Sequence, residues 1–367
     1  MNKVLFSIFL LFSAVVQSQA LRPGFDKREY LQLLQEFSRW GDSSVYKAIP
    51  ASKVYKKKTL KYHSEEMGLQ NCWKLYETSN HAVISIRGTT EDQTSWLANF
   101  YAAMIPAKGN LQLSDSISFD YHFADHPKAA VHVGWSISSA YLLIDILPKI
   151  QAVNKKGVRE FIIFGHSQGA ALAYYITAQL KYYQKTGVLP KDMIFKTYCS
   201  AAPKPGNLYF AYDYEASTQS GWSISVVNPA DWVPELPVSI QTPNDFNETS
   251  PFKNAKKVIR KLPFPKNVMV SYMYKQLTKH NRKAVKRYQF FLGKFASKII
   301  SKQLKGFKDP EYFDSNNYVR TGNMHILPTD DEYFKKFPDS EKTLFVHHNI
   351  KAYLYLTDKP EHIATTE

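Results

Sequence analysis

Four stretches of this chain are dense in β-branched and apolar residues: Ala82 to Arg87, Glu160 to Phe164, Met193 to Cys199 and Ser223 to Val227. Runs this short, with little polar alternation, predict strands buried on both faces, as in a parallel sheet. Helical patterns lie between them: Ile137 to Ile150 precedes the second run and Ala170 to Tyr183 follows it. Strands alternating with helices predict an α/β fold, a mainly parallel central sheet covered by helices on both faces. Leu21 to Ala51 reads as a helical segment laid over the body. No internal repeat and no low-complexity linker interrupts the pattern.

The earliest apolar run has a different character. Met1-Asn2-Lys3 is followed by Val4 to Val16, uncharged and broken only by Ser7 and Ser13, and then by Gln17-Ser18-Gln19-Ala20. The run has 13 residues, well short of the ~20 that span a bilayer. Small residues at the last and third-last positions suit cleavage after Ala20, so residues 1–20 read as a signal peptide rather than an anchor. The protein is then expected outside the cytoplasm, secreted or periplasmic or at the cell surface. No Cys follows the run, which argues against a bacterial lipoprotein anchor. Asn247-Glu248-Thr249 is the one N-glycosylation sequon, relevant where the host glycosylates.

Charge divides the chain. Its net charge is +15, yet 17 of the 47 Lys and Arg fall between Lys253 and Lys308, where there is no Asp or Glu. The rest is nearly balanced, with 30 bases against 32 acids. Such a shift marks residues 253–308 as a basic insertion or cap on the domain formed by 21–367. Ala284, Tyr288, Phe291, Phe295 and Ile299 recur at helical spacing, and Lys294, Lys298, Lys302 and Lys305 form a neighbouring stripe. One reading is a surface helix that packs its apolar stripe on the body. The other is a basic amphipathic helix touching an anionic membrane or lipid surface. No nucleic-acid motif accompanies the charge, and export removes most such partners.

The two cysteines, Cys72 and Cys199, are too few for a disulfide scaffold, and no Cys/His spacing suggests a metal. They are expected unbonded: Cys199 ends the strand expected on one side of Glu160 to Phe164, and Cys72 lies in or near a strand beyond Ala82 to Arg87 on the other, so two strands stand between them.

The chemistry centres on Gly165-His166-Ser167-Gln168-Gly169, between a strand pattern and a helix pattern. A serine hydroxyl is a poor nucleophile unless exposed, deprotonated and placed beside an oxyanion site. A strand–tight turn–helix exposes it, with glycines where a side chain would clash. The helix N-terminus adds free N–H groups and partial positive charge. Ser167 is therefore the candidate nucleophile of an α/β-hydrolase, and His166 a positioning residue. Asn228-Pro229-Ala230-Asp231 follows the Ser223–Val227 strand, at the end where α/β sheets place their sites, making Asp231 the candidate acid. The base must follow Asp231 in the order Ser, Asp, His. His280, His325, His347, His348 and His362 all qualify by order.

Several stretches resemble the fungal-type, or class 3, triacylglycerol lipases, over roughly Tyr62 to Leu356. They are Val83-Ile84-Ser85-Ile86-Arg87-Gly88-Thr89, Val131-His132-Val133-Gly134-Trp135, Ala202-Pro203-Lys204-Pro205-Gly206-Asn207 and Asp231-Trp232-Val233-Pro234. The resemblance implies a carboxyl-ester hydrolase acting on ester lipids without metal or organic cofactor. Phospholipase A1 or another esterase is the alternative, and a non-catalytic lipid-binding protein the distant one. It favours His348 as base, standing five residues before Tyr353-Leu354, with His347 and His325 as alternatives. One expected oxyanion donor is the backbone N–H of Gln168, next to the nucleophile; the resemblance places the other at Thr89, and a mobile lid over Glu91 to Ile105, where an ordinary packed helix is the other reading. The chain departs from the family at Asn99, where Asp is common, at Gln168, where Leu is frequent, and at Ala170, where Gly is common.

Overall fold

The computed structural model describes residues 19–40 and 58–359. The first 18 residues of the expected leader, the end of the expected N-terminal helical segment and His362 lie outside that range.

Eleven strands are present among the described residues: Thr59–His63 (β1), Trp73–Glu77 (β2), Ala82–Ile86 (β3), Met104–Pro106 (β4), Lys108–Gln112 (β5), Ser118–His122 (β6), Ala130–His132 (β7), Glu160–His166 (β8), Ile194–Ser200 (β9), Ser223–Val227 (β10) and Asn323–Ile326 (β11). Seven form one sheet in the order β1-β2-β3-β8-β9-β10-β11. The first two pairings are antiparallel and the other four parallel. The four expected strands are the four at its centre, and the architecture is that of an α/β-hydrolase. Two small sheets, β4 with β7 and β5 with β6, lie beside it.

Strand β8 shows why its sequence lacks alternation. Phe161 and Ile163 enter one hydrophobic cluster with Ile84, Phe195 and Leu172, whereas Ile162 and Phe164 enter a second with Val83, Tyr198 and Tyr353. Side chains alternate faces along a strand, so covering both faces makes its consecutive central positions, Phe161 to Phe164, all apolar.

The covering helices are Lys27–Phe37 (α1), Gln93–Phe100 (α2), Val133–Lys155 (α3), Gln168–Thr186 (α4) and Leu208–Ser217 (α5), followed by Ala255–Ile259 (α6), Lys266–Gln289 (α7), Ala296–Gln303 (α8), Asp331–Lys336 (α9) and Ile350–Asp358 (α10). Helix α1 begins at Asp26, whose side chain accepts from the Glu29 N–H, and α4 ends at Gly187 with φ of 80°. Both devices satisfy helix-end groups that the backbone leaves open.

The basic segment 253–308 is helical, but its expected packing stripe is corrected. Helix α7 passes through a π turn, Phe290–Phe295, before α8. Within that turn Phe291 and Phe295 are 56% and 55% exposed, and after it Ile299 is 37% exposed. The segment packs instead through Val285, Gly293, Ile300 and Leu304. The wider turn rotates the later residues relative to a regular helix, so an extrapolated spacing points the wrong way. A Cβ on Gly293 would stand 3.0 Å from that of Ala103 and 3.1 Å from the Tyr312 ring, which is how closely the turn lies on the body.

Candidate active site

The β8–α4 junction forms from the glycines outward. A Cβ on Gly165 would meet the Gly169 carbonyl at 2.1 Å, and one on Gly169 would meet the Ile86 carbonyl at 2.4 Å. Only glycine lets strand and helix approach so closely. Between them Ser167 takes φ 60° and ψ −130°, a conformation costing a side-chain-bearing residue about 1–3 kcal/mol. Its N–H donates to the Ser200 carbonyl at 3.0 Å, and its carbonyl accepts from the Ala170 N–H at 3.0 Å. The turn turns the Ser167 side chain into a cavity.

Asp231 leaves the end of β10 through Asn228-Pro229-Ala230 and is buried. Its Oδ2 is 2.7 Å from His348 Nδ1 and accepts from the Tyr353 hydroxyl at 2.8 Å, and its Oδ1 accepts from the Val233 N–H at 3.0 Å. A carboxylate on Nδ1 fixes the tautomer in which Nε2 carries the lone pair. His348 immediately precedes Asn349, whose side chain caps α10 by accepting from the Lys351 N–H at 2.9 Å. Helix α10 thus positions both His348 and Tyr353 around one carboxylate.

His166 supports this arrangement from behind. Its Nε2 bonds the His348 carbonyl at 2.9 Å, and its Nδ1 lies 3.0 Å from Ser200 Oγ, itself 2.6 Å from the Tyr30 hydroxyl. Burial, with the neighbouring His348 adding to it, pushes the His166 pKa down to about 3. It is therefore neutral at physiological pH, with Nε2 donating and Nδ1 accepting. The other histidines lie elsewhere. His347 is held between Asp339 and the Tyr333 hydroxyl at 2.9 and 2.7 Å. His325 on β11 stacks on Phe25, and His280 sits on α7.

On the far side of Ser167, Gly88 and Thr89 leave the end of β3. Asn99 Nδ2 donates to Thr89 Oγ1 at 3.0 Å, and that hydroxyl donates to Gln168 Oε1 at 3.4 Å. Gln168 Nε2 donates to the Ser95 carbonyl at 3.3 Å, and Asn99 Oδ1 accepts from Trp135 Nε1 at 2.9 Å. The two departures at 99 and 168 therefore belong to one chain of hydrogen bonds, from Trp135 through Asn99 and Thr89 to Gln168. Sequence reading marked Asn99 and Gln168 as changes but not as partners. The link between them runs through Thr89, whose contact with Gln168 spans 79 residues, beyond any local signal.

Ser167, His348, Thr89 and Gln168 share a cavity of about 1100 Å³. Its walls are largely apolar, from Trp96 and Phe100 on α2, Leu236 and Val238, Leu292 of the π turn, and Phe345. The expected lid segment divides here. Helix α2 stands at the rim with Phe100 exposed, whereas Tyr101 to Ile105 are buried in the body.

Residues 83–240 match the family profile described as lipase (class 3). No curated protein matches the chain. Among solved structures it is similar to a fungal lipase in complex with an inhibitor, at 17% identity and a TM-score of 0.43, over 59% of this chain and 77% of that one. It is similar to Rhizomucor miehei lipase with its propeptide, at 17% identity and a TM-score of 0.40, over 59% and 66%. A triacylglycerol lipase from Penicillium expansum is similar at 17% identity and a TM-score of 0.41, over 58% and 75%.

Proposed function

We propose that this chain, a carboxylic ester hydrolase of the class 3 lipase family, is an exported enzyme that cleaves acylglycerols through Ser167, His348 and Asp231. Ser167 Oγ attacks the ester carbonyl while His348 Nε2 takes its proton. The backbone N–H groups of Thr89 and Gln168 stabilise the tetrahedral oxyanion, while the Thr89 hydroxyl is engaged with Asn99 and Gln168. Collapse breaks the ester C–O bond, and His348 returns the proton to the leaving alcohol. Water, deprotonated by His348, then splits the acyl-enzyme into carboxylic acid and free Ser167. Asp231 holds the imidazole and stabilises its protonated form.

The observation that carries this reading is the 2.7 Å contact between His348 and the buried Asp231, on the same cavity as a serine held at positive φ. The apolar walls suit an acyl chain. The test is Ser167→Ala together with fluorophosphonate labelling. Ester hydrolysis should fall by about three orders of magnitude or more, and the label should sit on Ser167 alone. Activity kept by the variant, or label on another serine, refutes the assignment.

Phospholipid hydrolysis, with cleavage at one acyl ester, is a second reading that one feature favours. Helices α6 and α7 enclose a pocket of about 690 Å³ lined by Lys256, Arg260, Lys275, Lys279, Arg282 and Lys283 among others, with no acid in its lining. A phosphate headgroup is the chemistry that fits such a lining. The same helical segment contributes Tyr288 and Leu292 to the large cavity, so one segment lines both. Release of fatty acid from anionic phospholipid vesicles, set against release from triacylglycerol emulsion, separates the two readings.

A further inference from the structure

Glu160 opens β8, the strand whose other end delivers Ser167, and its side chain is turned inward at 7% exposure. Taking a carboxylate out of water is costly unless a cation or several donors replace the solvent. Among the described residues no cationic side chain pairs with it. Its neighbour Arg159 binds Asp192 at 3.0 Å, and Lys196 on the adjoining strand binds Glu29 at 2.6 Å. What Glu160 does hold is main chain. Oε1 accepts from the Ala20 N–H at 2.9 Å, and Oε2 accepts from Ala20 at 3.1 Å and from the Leu21 N–H at 2.6 Å. Leu21 is itself 2% exposed and packs in the cluster that contains Tyr30, Leu33 and Ile162.

The carboxylate thus grips the chain at the bond where the sequence places leader cleavage. We propose that Glu160 is the buried receptor for the α-ammonium group that removal of residues 1–20 creates on Leu21. The inference rests on the export reading. Hydrolysis of the Ala20–Leu21 peptide adds water across it: Ala20 leaves with a carboxylate, and Leu21 keeps an amine that is protonated at neutral pH. The Ala20 donor is lost, but the nitrogen at 2.6 Å from Oε2 changes from a neutral amide to a cation. A hydrogen bond charged only on the acceptor side becomes a hydrogen-bonded ion pair in a buried setting. The feature that leaves Glu160 without a cationic side chain is then explained by the mature chain end.

The pair ties down more than a terminus. Gly24 N–H donates to the Gly221 carbonyl at 2.9 Å, and Asp26 N–H to the Tyr198 hydroxyl at 3.0 Å, leading directly into α1. From α1, Tyr30 reaches Ser200 behind His166, and Phe37, Ser38 and Trp40 line the large cavity. Maturation therefore anchors the element that backs the proposed base.

The test is a double-mutant cycle. A chain beginning at Leu21, released from a fusion by a protease that leaves no extra residues, is compared with one that keeps Gln19 and Ala20. Each is made with Glu160 and with Glu160→Gln. The Leu21 chain should melt about 2–4 °C above the extended chain, and Glu160→Gln should erase that difference, so that the two changes are not additive. Reductive methylation gives a second readout: the Leu21 amine should resist while surface lysines react, and Glu160→Gln should release it. Equal melting of the two chains, additive effects, or an amine that reacts like a surface lysine overturns the pairing. The premise is read separately, by N-terminal sequencing of protein exported from a secreting host. A start at Leu21 supports cleavage there. A start elsewhere overturns the maturation step, whatever the melting cycle shows.

Discussion

Asn99 is where a single residue most changes the reading of the site. An Asp at this position can only accept, whereas Asn99 both accepts from Trp135 and donates to Thr89. By donating to the Thr89 oxygen it leaves the Thr89 proton for Gln168 Oε1, and so joins the two expected oxyanion donors into one unit. Asn99→Ala should lower kcat on a soluble short-chain ester by about tenfold to a hundredfold, less than the 10²–10³ that follows loss of an oxyanion donor itself. KM should barely move, because Asn99 acts through Thr89. Asn99→Asp should lose less than Asn99→Ala but still fall below wild type, since a carboxylate still accepts from Trp135 but draws the Thr89 proton away from Gln168 Oε1. A wild-type kcat in Asn99→Ala would remove the network from the mechanism. Ser167 in its glycines and Asp231 at a strand end carry their own local pattern in the sequence, whereas His348 is set apart from four other histidines only by the family resemblance. Tyr353 and Asn228 carry none. Tyr353 meets Asp231 across 122 positions, and Asn228 meets the His347 carbonyl across 119.

At the scale of the element, the insertion repeats this division between local and distant information. Its charge was legible because composition needs no partner. Its buried face was not, because the π turn at Phe290–Phe295 breaks the periodicity from which faces are read. The outcome sharpens the surface reading. Beyond Phe291, Phe295 and Ile299, helix α7 exposes Val268, Met269, Tyr272, Met273 and Leu277. Large apolar side chains among lysines suit the boundary between headgroups and acyl chains. Lys294, Lys298, Lys302 and Lys305 are all exposed, and each basic residue near an anionic leaflet contributes about 1 kcal/mol, weakened by salt. Vesicle binding by Ser167→Ala should therefore be stronger on anionic than on neutral lipid, and weaker at high salt. Changing the four lysines to Gln should reduce anionic binding and leave hydrolysis of a soluble ester intact. Binding indifferent to lipid charge, or to the four changes, would make the segment a structural cap.

Across the whole molecule, the strands read from sequence are those with both faces covered. β1 and β11 were not read, because as edge strands they are largely exposed and lack an apolar run; pairing rather than composition makes them strands. The order of the central strands carries a consequence for the two cysteines. Cys72 immediately precedes β2 and Cys199 stands near the end of β9, with β3 and β8 between those strands. Three steps of about 4.8 Å across the sheet exceed the ~7 Å over which Cα atoms can be bridged. Both thiols are free and buried, and burial pushes the Cys199 thiol well above its ordinary pKa. A buried thiol that stays protonated is a poor nucleophile, so neither oxidation nor alkylation should reach it while the sheet is intact. Iodoacetamide should add nothing to the folded protein, and should add two carbamidomethyl groups once the chain is unfolded without reductant. The melting temperature should be unchanged by dithiothreitol, since no bond exists for it to break. A mass that shows two alkylations only after reduction would mean a disulfide, and that would require a strand order other than β2-β3-β8-β9.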